Sequence, residues 1–297
     1  MKETKYINLS PKECIELYKT EVKRNKISSI VTLVIMFCVT FGLVMTTKQY
    51  WLNIIGMLFA FAVYLTYKGR GVKAFDDLKN IYFVDCDPEK WLKVLDFLLE
   101  ENPDERYHNT FCMYRADAYF GLGEYENMRS NLSSMRDETR DAAFEMSRIA
   151  LWENYFFKVG DEKGMNFCLK EFMRIRNEMK IPKQMQSAIH EMEDIRNLHR
   201  SILKSDWEET IRIAERRMAT SIPAMQTTYR FYIARAYRAL GRLDRAKGFF
   251  EIVAETRGTL YIKKVAKEEL AKILSAERGT QIVTVLNLEN QDWCRNV

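Results

Sequence analysis

Proline is scarce in this chain, with 5 residues among 297. A fold of many short strands needs Gly- and Pro-rich turns at close intervals, so a β-sheet domain is not expected. Beyond residue 72, apolar residues recur at helical spacing instead. One such run contains Trp91, Leu92, Val94, Leu95, Leu98 and Leu99. The sequence therefore predicts an all-α protein.

The cysteines are few and have no recurring spacing. They are Cys14, Cys38, Cys86, Cys112, Cys168 and Cys294. A disulfide framework needs paired, regularly spaced cysteines in an oxidising compartment. The chain is therefore not expected to be a disulfide scaffold, and its main body is expected in the cytoplasm.

Catalytic side chains are also scarce. The histidines are His108, His190 and His199, and none forms a nucleophile–base motif with a nearby Ser or Cys. His108 and Cys112 are four residues apart, but a metal site needs further ligands at suitable spacing. Residues 121–123 lack the lysine and the preceding strand of a phosphate-binding loop. The sequence thus predicts no enzyme activity, no metal and no cofactor.

A strong charge of one sign is absent, since the net charge is +5. Nucleic acid is therefore not an expected partner. The charge is unevenly placed, however, because residues 1–80 hold 12 basic and 6 acidic side chains. This excess near the start of the chain favours anionic lipid headgroups.

Two long apolar stretches, 27–47 and 49–67, are separated only by Lys48. At about 1.5 Å per residue, each reaches roughly 30 Å as a helix, which is the thickness of the hydrocarbon core of a bilayer. A soluble core helix normally keeps a polar stripe, and the first stretch has none. The stretches predict a transmembrane hairpin over 27–67, and the alternative is a buried hairpin in a soluble protein.

Flanking charges predict the orientation of this hairpin. Cations precede the first span and follow the second, whereas the connecting turn holds Lys48 alone. The flanking cations are Lys2, Lys5, Lys12, Lys19, Lys23, Arg24, Lys26, Lys68, Arg70 and Lys73. By the positive-inside rule, both termini of this two-span cell-membrane protein are expected in the cytoplasm.

Residues 1–26 are predicted to form a cytoplasmic amphipathic helix. Ser10 and Glu13 have the spacing of a capping box, and Pro11 suits the first helical position. The apolar face that follows either rests on the lipid headgroups as a surface anchor or binds a partner.

Turn segments repeat in the region 72–277. In 118–128 and in 236–246, an aromatic residue is followed four residues later by glycine, at Gly123 and Gly241. Glycine permits the left-handed backbone that ends a helix, and the small alanines before it let two helices approach closely. Each segment therefore predicts two antiparallel helices joined by a tight turn.

These segments resemble the tetratricopeptide repeat family, whose helix–turn–helix unit spans about 34 residues. The best unit matches at Ala234, Ala236, Tyr237, Gly241, Leu243, Ala246 and Phe250. A second matches at Ala116, Ala118, Tyr119, Gly123, Tyr125 and Leu132. Two units with fewer matches lie at Phe156, Gly160, Met165 and Leu169 and at Ser201, Ser205, Trp207 and Ala214. The predicted turns are at 123, 160, 205 and 241.

The resemblance implies an α-solenoid of antiparallel helix pairs whose inner face, made by the first helix of each pair, binds a peptide. The implied peptide-binding groove contains Asn154, Phe157, Lys158, His199, Phe231, Arg235 and Arg238. Further inward-facing candidates are Met113, Asp117, Phe120, Ile195 and Ile202. Their mixed apolar and basic character predicts a protein or peptide partner with acidic and apolar residues.

The end of the chain has a different pattern. A helix from about 259 to 276 is predicted to cap the helical stack, and the tail 278–297 is β-prone. The tail either lies against the protein's own helices or is free to meet a partner.

Two functions remain open on the sequence. One is a membrane-tethered scaffold of the tetratricopeptide type that binds a partner at the cytoplasmic face. The other is a structural subunit of a membrane transport, secretion or envelope-assembly complex, in which the transmembrane helices make the main contacts. The oligomeric state is left open.

Overall fold

The computed structural model describes residues 4–49, 51–101, 107–136, 142–178 and 186–276. Throughout these ranges the regular structure is helical and no strand is present, so the predicted all-α class is confirmed. The predicted tail 278–297 lies outside the described residues.

The helices follow one another with short connections. They are α1 (Pro11–Thr47), α2 (Leu52–Phe83), α3 (Pro88–Glu101), α4 (His108–Leu122), α5 (Tyr125–Ser133), α6 (Ala142–Val159), α7 (Glu162–Glu178), α8 (Gln186–Leu203), α9 (Trp207–Met218), α10 (Pro223–Ala239), α11 (Leu243–Ala254) and α12 (261–276).

The first helix begins with the predicted capping box. The amide of Glu13 donates to Ser10 Oγ over 3.4 Å, and the amide of Ser10 donates to Glu13 Oε2 over 2.7 Å. Pro11 occupies the first turn. The helix then runs without a break past residue 26 to Thr47, because no helix-breaking residue stands between its amphipathic and apolar parts. It ends at Lys48, whose φ is 55°.

The chain divides into two compact units, and the first comprises residues 1–85 and 90–103. Its core is formed where the polar ends of α1 and α2 meet α3. Its most buried side chains include Tyr6, Cys14, Ile15, Leu78, Ile81, Trp91 and Leu95. The rings of Tyr18 and Phe75 contact edge to face at 6.5 Å. Within the apolar face of 11–26, Cys14 and Ile15 are thus buried in protein, and Leu17, Tyr18 and Val22 are half-buried.

The remaining halves of α1 and α2 are long and apolar enough to cross a membrane, and no residue of their most apolar stretches is buried. Phe37 is 70% exposed and Leu58 is 65% exposed. The two helices approach closely at Gly56, where an added Cβ would lie 2.9 Å from Thr40 Cγ2. A Cβ at Gly42 would meet nothing within 4 Å, so the close approach depends on Gly56.

The second unit holds α4 to α12. Four of its helix pairs are joined at a residue with left-handed backbone. These residues are Gly123, Gly160, Ser205 and Gly241, with φ of 75°, 73°, 55° and 72°. All four lie at turn positions predicted from the spacing of the sequence.

The four turns also share one hydrogen-bond pattern. The amide after each left-handed residue donates to the carbonyl five residues before it, over 2.8–2.9 Å. The pairs are Glu124 to Tyr119, Asp161 to Phe156, Asp206 to Ser201 and Arg242 to Tyr237. This is the Schellman arrangement, which satisfies carbonyls at the end of a helix. The four helix pairs therefore turn in the same way although one lacks glycine.

Small and apolar side chains fill the space between the paired helices. Ala116, Ala234, Ala236 and Ala246 are fully buried, as are Met128 and Phe250. α10 packs against both α9 and α11, and Tyr229, Phe231 and Ile233 on it are buried. The helix predicted at about 259–276 is confirmed as α12.

Opposite substitutions at Ser205 and Gly241 test whether the two turns share one backbone geometry. Left-handed backbone is unfavourable for a residue with a Cβ, so we expect Ser205→Gly to raise the free energy of unfolding by about 1 kcal/mol. Gly241→Ser should lower it by a similar amount, because a Cβ there meets no neighbour within 4 Å and only the φ is strained. Urea unfolding of the full chain in detergent measures both. Shifts of the same sign in the two variants would contradict the shared turn geometry.

Candidate functional site

Lys158 lies in the last turn of α6 and is surrounded by aromatic rings. Its Nζ is 5.7 Å from the ring centroid of Phe120, 5.4 Å from that of Phe157 and 5.2 Å from that of Tyr232. These rings come from α4, α6 and α10, so one cation joins three helices. Attraction between an ammonium and a ring face holds such an arrangement together.

Lys158 is charged at neutral pH. Burial by itself lowers the pKa of Lys158, but the neighbouring phenols of Tyr232 and Tyr125 raise it above its ordinary value. The exposed Arg235 lies close enough to oppose this charge. Within the described ranges, no carboxylate forms an ion pair with Lys158. This half-buried positive site thus has rings around it and, among the described residues, no anion.

A second cluster, on α6 and α8, contains buried charges. Arg196 donates from Nη2 and Nε to Glu153 Oε2 over 2.7 and 3.1 Å. The guanidinium also lies 4.8 Å from the ring centroid of Phe172. Burial by itself raises the pKa of Glu153, yet His199 and Arg196 together lower it below its ordinary value. Glu153 and Arg196 therefore form a desolvated ion pair.

His199 connects the two clusters. Its ring stacks on Phe157 with a centroid distance of 3.9 Å and an interplanar angle of 9°. Its Nδ1 lies 3.9 Å from Glu153 Oε1, beyond hydrogen-bond distance. Burial lowers the pKa of His199, although Glu153 opposes this. His199 is neutral at pH 7 and acts as a support for the Phe157 ring beside Lys158.

The predicted groove residues differ in how far they are exposed to solvent. Phe157, Lys158 and His199 come together as described, Arg235 is exposed and Asn154 is half-buried. Phe231 is only 4% exposed and its ring contacts that of Phe250. Phe231 therefore belongs to the core, because α10 is covered on two sides. Phe157 and His199 are also buried, at 8% and 3% exposure, so these three predicted groove residues do not line an open surface, contrary to the sequence prediction.

Arg238 and the further candidates also have partners within the fold. Arg238 forms an ion pair with Glu269 of α12. Phe120 joins the rings around Lys158. Met113 packs against the core near α5, and Ile202 packs against the core around α10. Burial raises the pKa of Asp117 to about 7.

Four residues of these clusters are absent from the sequence prediction: Tyr232, Glu153, Arg196 and Phe172. Tyr232 follows Phe231 in an aromatic run, and helical spacing alone does not decide which ring faces the groove. Glu153 stands within the apolar run 151–157. A charged residue at a buried position of a helix is the signal that marks a buried ion pair.

Other chemical groups do not assemble into a reactive centre in the described part of the chain. Cys112 Sγ lies 3.5 Å from His108 Nε2, which is also 3.0 Å from the carbonyl oxygen of Ser134. No three His, Cys, Asp or Glu side chains converge there in a metal-binding group. A cavity of about 320 Å³ between α6 and α7 is lined by Ile149, Trp152, Phe156, Phe167 and Cys168, with Glu145, Arg148 and Glu171 also lining it.

Comparison with protein-family models, with curated proteins and with solved structures found no match for this chain. The resemblance to tetratricopeptide repeats therefore stays a prediction from the sequence.

The buried ion pair predicts a non-additive effect on stability. Arg196→Met leaves Glu153 desolvated without its partner, so we expect a loss of about 3–5 kcal/mol in the free energy of unfolding. The double change Glu153→Leu and Arg196→Met removes both charges and should recover most of that loss. Urea unfolding followed by tryptophan fluorescence measures the three chains. Equal losses in the single and double variants would argue against a desolvated pair.

Proposed function

We propose that this protein is a membrane-tethered helical scaffold of the tetratricopeptide type, which binds an acidic and apolar segment of a partner protein at the cytoplasmic face. The observation that carries the proposal is Lys158, a charged side chain enclosed by rings and without a carboxylate partner among the described residues.

The membrane tether is supported by the exposure of α1 and α2. The large apolar side chains of their apolar halves, such as Phe37 and Leu58, are in contact with no other part of the described chain over most of their surface. A buried soluble hairpin would have these side chains covered, and water-exposed apolar surface of this extent is unfavourable. A bilayer provides the missing apolar surroundings.

The ligand class follows from the groups around Lys158. The half-buried ring of Phe120 offers apolar surface, while the half-buried Lys158 and the exposed Arg235 offer positive charge. Phe157 and Tyr232 are buried and support Lys158 from within the core. A half-buried ammonium is less screened by water than an exposed one, so it attracts an entering carboxylate more strongly than it would in water. A peptide with an acidic residue beside apolar residues combines both interactions.

The alternative is a subunit that assembles through its transmembrane helices. One observation favours it: the stacked rings of Phe37 and Phe41, with centroids 6.0 Å apart, form an exposed aromatic surface on α1. In this alternative, that surface contacts the helices of other membrane proteins rather than lipid.

Site-specific photo-crosslinking in native membranes separates the two functions. A photoreactive residue at Arg235 should capture a partner protein, and one at Phe37 should capture mainly lipid. When Lys158→Gln is added to the variant with the photoreactive residue at Arg235, capture of the partner should weaken at least about tenfold. The reason is that loss of one member of a desolvated charge pair costs about 2 kcal/mol or more.

Lys163→Gln is the matched control, because Lys163 is an exposed lysine on the neighbouring α7. Capture of proteins from Phe37 but not from Arg235 would reject the groove and support the subunit. Equal capture by the Lys158 and Lys163 variants would reject Lys158 as a ligand contact.

The proposed orientation is tested by thiol labelling in intact cells. In a background without Cys38, a cysteine at Gln49 should react with a membrane-impermeant maleimide from outside. A cysteine at Lys163 should react only after the membrane is permeabilised, because the body is placed in the cytoplasm. Labelling of the Lys163 position in intact cells would contradict this orientation.

A further inference from the structure

Six basic side chains lie where the apolar halves of α1 and α2 end. They are Lys23, Arg24 and Lys26 on α1 and Lys68, Arg70 and Lys73 on α2, and all six are exposed. We refer to these six residues as the basic belt.

The contact between Thr40 and Gly56 places the two halves of the belt at one level. Lys26 and Arg70 are each 14 residues from that contact, in opposite chain directions. At about 1.5 Å per residue, both lie roughly 21 Å along the hairpin from it. Lys23 and Lys73 are each 17 residues away and lie about 4 Å further on. The belt is therefore a narrow band around both helices.

The acidic side chains near the belt are engaged elsewhere. Glu21 binds Lys5 over 2.6 Å, and Asp77 lies 3.6 Å from the same ammonium. Asp76 binds Lys79 over 2.6 Å. In the described chain, none of the six belt cations has a carboxylate partner. The belt thus keeps its full positive charge while nearby ion pairs are complete.

The depth of the belt matches a phosphate layer. From Lys26 to Lys48, at the turn, there are 22 residues, or about 33 Å of helix, close to the thickness of the hydrocarbon core. The belt also adjoins exposed apolar surface at Ile27 and Leu65, which are 52% and 51% exposed. A free anion or a nucleic acid would neutralise the charge and leave this apolar surface in water, whereas a phospholipid covers both.

We propose that the basic belt binds the phosphate groups of anionic phospholipids, so that the hairpin gathers these lipids around itself in one leaflet. The proposal rests on the membrane tether proposed above. Each phosphate meets cations from both helices at the belt, and the attached acyl chains lie along the adjoining apolar surface.

The test uses the full chain reconstituted in phosphatidylcholine vesicles that contain spin-labelled lipid. Electron spin resonance gives the association constant of spin-labelled phosphatidylglycerol relative to that of spin-labelled phosphatidylcholine. We expect a ratio of about three or more, which decreases as sodium chloride is raised. A variant with Lys23, Lys26, Arg70 and Lys73 all replaced by Gln should have a ratio near one.

The matched control replaces four exposed lysines of the second unit, Lys163, Lys170, Lys264 and Lys267, by Gln and should keep the original ratio. A ratio near one in the unaltered chain, or an unchanged ratio in the belt variant, would overturn lipid selection while the tether stands. A chain that fails to float with the phosphatidylcholine vesicles in a density gradient would overturn the tether as well. Inorganic phosphate that lowers the ratio more than chloride of equal ionic strength would assign the belt to a free anion instead.

Discussion

One backbone constraint determines the arrangement of the helical body: each of four helix pairs reverses at a single left-handed residue. The residue three positions before each left-handed residue also has a fixed place, because its carbonyl accepts from the amide of that residue. The carbonyl of Phe120 accepts from Gly123 over 3.1 Å, and that of Phe157 accepts from Gly160 over 3.3 Å. Phe120 and Phe157 therefore occupy equivalent positions in successive turns. Lys158, which follows Phe157, has its Nζ 5.7 and 5.4 Å from the centroids of these two rings.

The buried charges support the same site from within. Glu153 and Arg196 lie on different helices, so their bonds join α6 to α8. The cost of burying both charges is offset by two charge-assisted bonds and by the ring of Phe172 under the guanidinium. His199 completes this support by stacking on Phe157. The orientation of one ring of the candidate site is thus fixed by a polar cluster.

The positions of the turns could be predicted from the sequence, but which faces of the helices are buried could not. Turns at 123, 160, 205 and 241 follow from local spacing, and even Ser205 adopts the left-handed backbone without glycine. The repeat pattern predicts Phe231 in an open groove, because the pattern contains information about only one face of each helix. α10 contacts helices on two sides, so a position on its predicted inner face is buried by α11. Burial of this kind depends on contacts with helices far along the chain, and it cannot be predicted from the spacing of residues within one helix.

The continuity of α1 and α2 has a mechanical consequence. A change from polar to apolar sequence near residues 26 and 68 indicates a change of solvent, but it does not interrupt the backbone hydrogen bonds of a helix. The polar parts of both helices are packed with α3 through Trp91 and Leu95, whereas their apolar parts are exposed. No flexible linker separates the packed part from the apolar part, so a rotation or tilt of the hairpin must move the core around Trp91 with it. The packed part of the first unit is therefore a rigid extension of the apolar hairpin, and the basic belt lies at the boundary between the two.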